Sequence, residues 1–199
     1  MAKYRRWLKR RRAYFKRRFR RSSAPGLRYN SKVVCTAVNA VNCNSNGIIS
    51  GYSNLGQLLN GSDLFGKIKT GYSMFRISFI KVSVGFTGVQ GNYQGNSFWV
   101  ALFPGVKATD KNVEEILGAN NCGEFVPNAG TKKKCLQRFL KGGANYGYGL
   151  PMSIAAFSAE PTLLTGQLSY ASGPMASSAT NNIAQVIVDY YIELYGSLV

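Results

Sequence analysis

Residues 74–86 read MFRISFIKVSVGF and carry the strongest strand pattern of the chain, because apolar residues recur at every second position, as they do along a β-strand. The apolar side chains occupy one face and then a face shifted by one position: Phe75, Ile77 and Phe79, followed by Ile80, Val82, Val84 and Phe86. A slip of one residue predicts a β-bulge within the strand. We therefore expect a long strand here, paired with strands from the flanking sequence.

Three other segments carry the clearest of the remaining strand patterns. Residues 32–41 (KVVCTAVNAV) and 97–103 (SFWVALF) are apolar on both faces, which is typical of strands sandwiched between other protein layers. Near the C-terminus, five apolar residues alternate with positions that include Asp189 and Glu193: Val186, Val188, Tyr190, Ile192 and Leu194. This alternation predicts a half-exposed strand.

The segments between these strands contain little helix. Glycine and asparagine predict loops or turns over residues 42–71, 88–96 and 142–149, with no firm element in the first of them. One short helix is predicted after residue 108, capped by Thr109 or Asp110 and carrying Val113, Ile116 and Leu117. Weaker strand patterns occupy residues 132–140, 151–157 and 163–171. Seven or eight strands joined by long loops predict an all-β, two-sheet antiparallel sandwich, in one domain spanning residues 27–199.

The first 21 residues, MAKYRRWLKRRRAYFKRRFRR, differ from everything that follows. They hold twelve of the chain's 25 Lys and Arg residues and no acid, so the net charge of +17 falls to +5 once they are removed. An arm of this kind is predicted to be disordered until a polyanion neutralises it. Tyr4, Trp7, Tyr14, Phe15 and Phe19 lie among the charges, and unpaired bases stack on such rings.

Together these features predict binding to single-stranded nucleic acid, largely through phosphate contacts and therefore sensitive to salt. Residues 22–26 (SSAPG) are predicted as a hinge, which makes residues 1–26 an arm distinct from the body. Nuclear import, an anionic membrane surface and a merely solvated tail are the other interpretations of an arginine run. The predicted nucleic-acid-binding residues are Lys3, Arg5, Arg6, Trp7, Lys9, Arg10, Arg11, Arg12, Lys16, Arg17, Arg18, Arg20, Arg21, Arg28 and Lys32.

The composition gives little support to an enzyme. The chain has no histidine, which excludes imidazole acid–base chemistry, and its four cysteines lack metal-ligand spacing, so we expect buried free thiols, no metal and no cofactor. Residues 61–68 (GSDLFGKI) have the frame of a phosphate-binding loop, but Ile68 stands where Ser or Thr must ligate magnesium. Glu114 and Glu115 are adjacent and do not converge on a helix. Without a signal peptide or an apolar run near twenty residues, the chain is expected to be made and used inside a cell.

Three segments, in the right order behind a basic arm, resemble the capsid proteins of circovirus-like viruses, which have circular single-stranded DNA genomes. Residues 74–86 are similar to that family's long second strand, where an aromatic–Arg–Ile run precedes a Lys-Val pair, here Phe75-Arg76-Ile77 and Lys81-Val82. Residues 132–141 (KKKCLQRFLK) resemble its basic mid-chain strand, and residues 186–196 (VIVDYYIELYG) its tyrosine-rich closing strand. A satellite RNA virus coat has much the same pattern.

The resemblance implies a capsid protein with an eight-stranded antiparallel jelly roll, assembled as 60 copies into a small T=1 icosahedral shell. Its implied partners are a single-stranded genome, DNA rather than RNA, copies of itself, nuclear import receptors and a host surface receptor. The implied locations are the virion and, during assembly, the host nucleus. The alternative is a cellular single-stranded nucleic-acid-binding protein, of ribosomal or architectural type, in which a basic tail extends from a β body.

Overall fold

A computed structural model describes residues 29–87, 96–127, 129–177 and 179–197 of the 199-residue chain. The predicted arm, the hinge and most of the predicted turn at residues 88–96 lie outside the described residues. The ten strands are β1 (Tyr29–Cys43), β2 (Ile48–Asn54), β3 (Tyr72–Phe86), β4 (Phe98–Pro104), β5 (Cys122–Val126), β6 (Gly130–Lys133), β7 (Cys135–Arg138), β8 (Met152–Ser153), β9 (Gly166–Pro174) and β10 (Thr180–Ser197).

The strands form two antiparallel sheets that pack face to face. The first sheet has the order β1-β10-β3-β7, with β8 added beside β3, and the second has the order β2-β9-β4-β5-β6. Consecutive strands β1 and β2, β3 and β4, and β9 and β10 belong to different sheets, so the chain crosses repeatedly between the two layers. Eight strands in this arrangement make a jelly roll, and the short β6 and β8 are additions to the predicted eight.

Strand β3 contains the predicted bulge. Its pairing with β10 skips one residue, because Tyr191 lies opposite Phe79 whereas Ile192 lies opposite Ile77. Ser78 is therefore the extra residue, and its hydroxyl donates to the carbonyl of Tyr191 at 3.0 Å. The bulge lies one residue earlier than the apolar pattern indicates, so Phe79 points to the outer face rather than sharing the inner face with Phe75 and Ile77.

Four helices and a 3₁₀ turn (Pro161–Leu163) connect the strands: α1 (Leu55–Asn60), α2 (Asp63–Ile68), α3 (Val113–Gly118) and α4 (Ile154–Ala159). The loop predicted over residues 42–71 is thus wrong for most of its length, because it holds β2, α1 and α2. Its weak pattern has a physical reason, since Ile49 is the only side chain of β2 that is buried in the core.

The strand predicted at residues 151–157 is largely wrong as well. Only Met152–Ser153 pairs with β3, after which the Ser153 hydroxyl accepts from the backbone N–H of Ala156 and caps α4. Ile154 and Phe157 are buried three residues apart, which is helical spacing. The predicted short helix after residue 108 is confirmed as α3, but its cap is Asn112 rather than Thr109 or Asp110.

The core lies between the inner faces of the two sheets. The rings of Phe65 in α2, Phe75 in β3 and Phe157 in α4 meet edge to face, with centroids 5.1 to 5.4 Å apart. The buried hydroxyl of Tyr190 donates to the carbonyl of Leu55 at 2.9 Å and ties α1 to the centre of the first sheet. The strand predicted at residues 186–194 is confirmed in β10, where the five alternating apolar side chains are buried.

Two predicted strands differ in how they are covered. Residues 97–103 are confirmed as buried on both faces, because α3 covers the outer face of β4. Residues 32–41 form a strand as expected, but the prediction that both faces are covered is wrong. On the outer face of β1, Val34 is 40% exposed and Val38 is 57% exposed.

Candidate nucleic-acid interface

Of the predicted nucleic-acid-binding residues, Lys32 is the one that lies in the described part of the chain. Arg28 and the residues of the arm precede Tyr29 and lie outside it. Lys32 is exposed on the outer face of β1, opposite Glu193 of β10. Because residues 1–28 continue directly into β1, the basic arm joins the body at the first sheet.

The outer face of the first sheet, which we call the open face, carries side chains in cross-strand rows. The first row joins Lys32, Glu193 and Arg76; the second joins Val34, Tyr191, Phe79 and Arg138; the third joins Thr36, Asp189, Lys81 and Leu136. Cross-strand neighbours on one face of a sheet lie close enough to interact directly. The open face therefore presents alternating charged and aromatic rows.

The first row contains a buried ion pair. The guanidinium of Arg76 donates to Oε2 of Glu193 at 2.7 Å, and these side chains are only 4% and 13% exposed. The hydroxyl of Tyr195 donates to the same oxygen at 2.9 Å, and Arg76 also donates to the carbonyl of Tyr148 at 3.3 Å. Burial by itself raises the pKa of Glu193, but the hydrogen bonds from Arg76 and Tyr195 outweigh it and leave that pKa below its ordinary value.

The second row combines two rings with a cation. The rings of Phe79 and Tyr191 meet edge to face, with centroids 5.2 Å apart, and Arg138 places its guanidinium carbon 5.7 Å from the centre of the Phe79 ring. Tyr191 is 36% exposed, and Arg138 is exposed as well. Rings and cations of this kind bind unpaired bases and phosphates respectively.

A groove of about 600 Å³ runs over the first two rows of the open face. Its walls include Lys32 and Arg138 at opposite edges of the sheet, with Phe79 and Tyr191 between them. Arg76 and Glu193 also line the groove, but they are already paired with each other. The groove thus has a basic rim and an aromatic floor.

In the third row the carboxylate is also neutralised. Asp189 accepts from the hydroxyl of Thr36 at 2.8 Å and lies 3.8 Å from the ammonium group of Lys81. The four cations and two carboxylates of the three rows give the open face a net charge of +2. A surface of this charge favours an anionic partner such as phosphate over a basic one.

The outer face of the second sheet is closed by the chain itself. Ile116 of α3 packs with Ala101, Cys122 and Ala171 of three strands, and Trp99 and Phe103 flank this cluster. The buried side chain of Gln167 accepts from the backbone N–H of Thr109 at 2.6 Å and donates to its carbonyl at 2.7 Å. Residues 106–121, which lie between β4 and β5, are therefore tied down as a cover.

The three lysines at residues 132–134 do not belong to the open face. The strand predicted at residues 132–140 is divided, because β6 pairs with β5 in the second sheet and β7 pairs with β3 in the first. Lys134 lies at the crossing between the two sheets, and Lys132 forms an ion pair with Glu124 at 3.3 Å. The chain reaches the open face only from Cys135 onward, through Leu136 and Arg138.

The described residues offer little for catalysis. All four cysteines are buried and free, as predicted, and burial raises the pKa of Cys35 to about 11 and that of Cys135 to about 12. Such thiols stay protonated at neutral pH and are poor nucleophiles. In the described ranges, no three His, Cys, Asp or Glu side chains come together as a metal site requires. None of the helices described has the length and apolar character to span a membrane.

Comparisons with known proteins bear on the fold. No protein-family model and no curated protein matches the sequence. A chain of tobacco necrosis virus is 13% identical, with a TM-score of 0.56 over 85% of this chain and 98% of that one. A chain of the semi-empty virus-like particle of Macrobrachium rosenbergii nodavirus is 10% identical, with a TM-score of 0.56 over 90% of this chain and 98% of that one. The fold is a viral jelly roll.

A third solved structure shares this fold. It is the T=1 subviral particle of a Penaeus vannamei nodavirus capsid protein deletion mutant, 10% identical, with a TM-score of 0.52 over 84% of this chain and 98% of that one. At such identities the likeness concerns the fold alone. It does extend over nearly the whole of each matched chain.

Sequence reasoning missed Phe79, Tyr191 and Arg138 as candidate site residues. The alternation in β10 contains a signal for Tyr191, which falls between buried Tyr190 and Ile192 and therefore faces outward. No local pattern turns Phe79 outward, because its orientation depends on the bulge at Ser78. The meeting of Phe79 with Arg138 depends on the pairing of β3 with β7, which brings together residues far apart in the chain.

Proposed function

We propose that this protein is a viral coat protein whose jelly roll builds a closed icosahedral shell and whose basic arm packages a single-stranded genome. Its role is structural rather than enzymatic. The observation that carries the proposal is the jelly roll, which extends over 98% of a nodavirus capsid fragment whose structure is a T=1 particle. A T=1 shell of 60 copies would bring about 720 arm charges inside, enough to neutralise several hundred phosphates.

The genome type, the further partners and the location are proposed from the sequence motifs and the basic arm. We propose single-stranded DNA as the genome because of the resemblance at residues 74–86, 132–141 and 186–196 to circovirus-like capsid proteins. The three solved structures compared above come from RNA viruses, so the likeness to them does not favour DNA. The further partners are nuclear import receptors, recognised by the arginine-rich arm, and a host surface receptor; the protein would act in the virion and, during assembly, in the host nucleus.

The test is to express the full chain and a variant lacking residues 1–21, and to image both by electron microscopy. We expect uniform spherical particles from the full chain and a ratio of absorbance at 260 and 280 nm that shows nucleic acid inside. The truncated chain should stay folded but carry no nucleic acid. A soluble monomer that binds nucleic acid without forming particles would instead identify a cellular binding protein. Truncated particles that still carry nucleic acid would contradict the role of the arm.

Genome type is tested by competition. Full-length protein is mixed with equal amounts of single-stranded DNA and RNA of one length, and the bound fraction of each is measured. Preferential binding of DNA would support the proposed genome, whereas preferential binding of RNA would contradict it. For either polymer, affinity should fall with salt, with a log–log slope as steep as about −8 if all twelve arm cations bind phosphate.

A further inference from the structure

We propose that the groove on the open face is a second nucleic-acid site, in which a base stacks on Tyr191 and Phe79 while Lys32 and Arg138 bind the adjacent phosphates. This inference rests on the proposed packaging function and adds to it a binding site on the folded body. It differs from the arm in mechanism, because stacking depends on ring contact rather than on counterion release.

The first argument is the size and lining of the groove. Its volume of about 600 Å³ lies within the roughly 300 to 1,000 Å³ of sites that hold small organic ligands. The exposed ring of Tyr191 lies beside Phe79, whose face is turned to the Arg138 guanidinium. Aromatic rings next to cations are the combination by which proteins hold single strands without reading their sequence.

The second argument is charge. Carboxylates would repel phosphate, but on the open face Arg76 balances the charge of Glu193, and Lys81 that of Asp189. Each carboxylate also accepts a hydrogen bond from a hydroxyl, of Tyr195 and Thr36 respectively. The rim of the groove is cationic at both edges, and the whole face keeps a net charge of +2. This charge complements a polyanion.

The third argument is position. Lys32 lines the groove and lies only four residues after Arg28, so the arm joins the body beside this site. Residues 22–28 span at most about 25 Å when fully extended. A polynucleotide bound by the arginines at residues 17–21 is thereby held within reach of the groove. By contrast, the cover on the second sheet is slightly acidic, since residues 106–121 carry three carboxylates against two lysines.

The experiment uses full-length protein with two substitutions in the groove, Tyr191→Leu and Arg138→Gln. The matched controls are Tyr52→Leu, which removes a ring that is 41% exposed on β2, and Lys107→Gln, which removes an exposed cation of the cover. Affinities for a thymidine and a uridine homopolymer are measured over a series of salt concentrations up to roughly 0.5 M, where the contribution of the arm is weak. Circular dichroism and urea unfolding check that each variant is folded.

At high salt we expect Tyr191→Leu to lower the affinity at least about fivefold, since stacking on one ring is lost. Arg138→Gln should reduce the log–log salt slope by about 0.7, the value for one phosphate contact on a single strand. Both controls should behave like the unmodified protein. Photocrosslinking of the full chain to a 5-iodouracil homopolymer should mark Tyr191 or Phe79 in addition to the arm.

Two results would overturn the groove site, and both are distinguishable from failure of the packaging function. Crosslinks confined to residues 1–28, with unchanged affinity of Tyr191→Leu, would leave packaging intact but remove the groove. Loss of particles in Tyr191→Leu with unchanged affinity of the unassembled chain would show that a second copy of the protein covers the open face. Failure of the unmodified protein to bind either homopolymer would contradict the packaging function itself.

Discussion

The inner faces of both sheets of the jelly roll are buried in the core. Their outer faces differ, because one is covered by the chain and the other is exposed. On the second sheet, α3 and the loop before it cover Ala101 and Ala171, and Ile116 is only 1% exposed. On the first sheet, Val34, Val38, Leu136 and Tyr191 remain 36 to 57% exposed. The chain uses its own insertion to close one outer face and leaves the other to the solvent or to a partner.

The difference extends to charge. The cover over residues 106–121 has a net charge of −1, whereas the open face has a net charge of +2 and the arm beside it a charge of +12. A subunit with such a polarity would attract a polyanion on one side and repel it on the other. The positive charge of this protein is therefore concentrated on the side of the arm and the open face, and is not spread evenly over the surface.

The largest expected effect on stability comes from breaking the ion pair of the open face. In Glu193→Gln, Arg76 loses its charged partner while its side chain stays 4% exposed, and an uncompensated buried charge is costly. We expect the free energy of unfolding to fall by about 2–3 kcal/mol, measured by urea denaturation at one protein concentration. The control is Lys81→Gln, which breaks the exposed pair with Asp189 and should cost under about 0.5 kcal/mol. Equal losses in both variants would contradict this interpretation.

The next largest expected effect on stability concerns apolar residues on the two outer faces. Ile116→Ala empties a buried position under α3 and should lower the free energy of unfolding by about 2 kcal/mol, near the low end for such changes because α3 lies at the surface. Val38→Ala removes a side chain that is 57% exposed on the open face, and should cost under about 0.5 kcal/mol. If Val38→Ala proves the more damaging of the two, the open face is covered in the assembled protein.

A smaller effect concerns how the cover is held in place. The side chain of Asn112 accepts from the backbone N–H of Glu115 at 2.8 Å, and Glu115 accepts from the backbone N–H of Asn112 at 3.0 Å, which forms a capping box. Asn112→Ala should lower the free energy of unfolding by about 1 kcal/mol. Asn112→Ser keeps an acceptor and should recover most of that loss. A serine variant no better than the alanine variant would show that the cap does not stabilise α3.

The last expected effect is a dependence on pH. The pKa of Glu193 is lower in the folded protein than its ordinary value of about 4.3, so its contribution to stability is complete above that value and is lost as the pH falls through the folded pKa. The difference in urea midpoint between the unmodified protein and Glu193→Gln should therefore be constant at neutral pH and shrink in acid below about pH 4. A difference that grows in acid would reverse the sign assigned to this pKa.

Local sequence patterns are sufficient to predict the strands β3, β4 and β10. Alternation in residues 74–86 and 186–194 predicts β3 and β10, and the double-sided apolar run at residues 97–103 predicts a strand that is covered twice. The buried state of the four thiols was also predictable from the absence of ligand spacing. These features are local, because the side chains of a strand alternate between its two faces at every residue.

The groove and the unequal covering of the two sheets arise from packing between distant parts of the chain. Residues 132–140 look like one strand, but the chain crosses between the sheets at Lys134, and so Arg138 reaches Phe79 while Lys132 pairs with Glu124. The bulge at Ser78 turns Phe79 outward to meet Tyr191, 112 positions further along the chain. Packing across the whole domain sets the register between distant strands. It also sets which outer face a short helix covers. Neither property can be predicted from a local pattern.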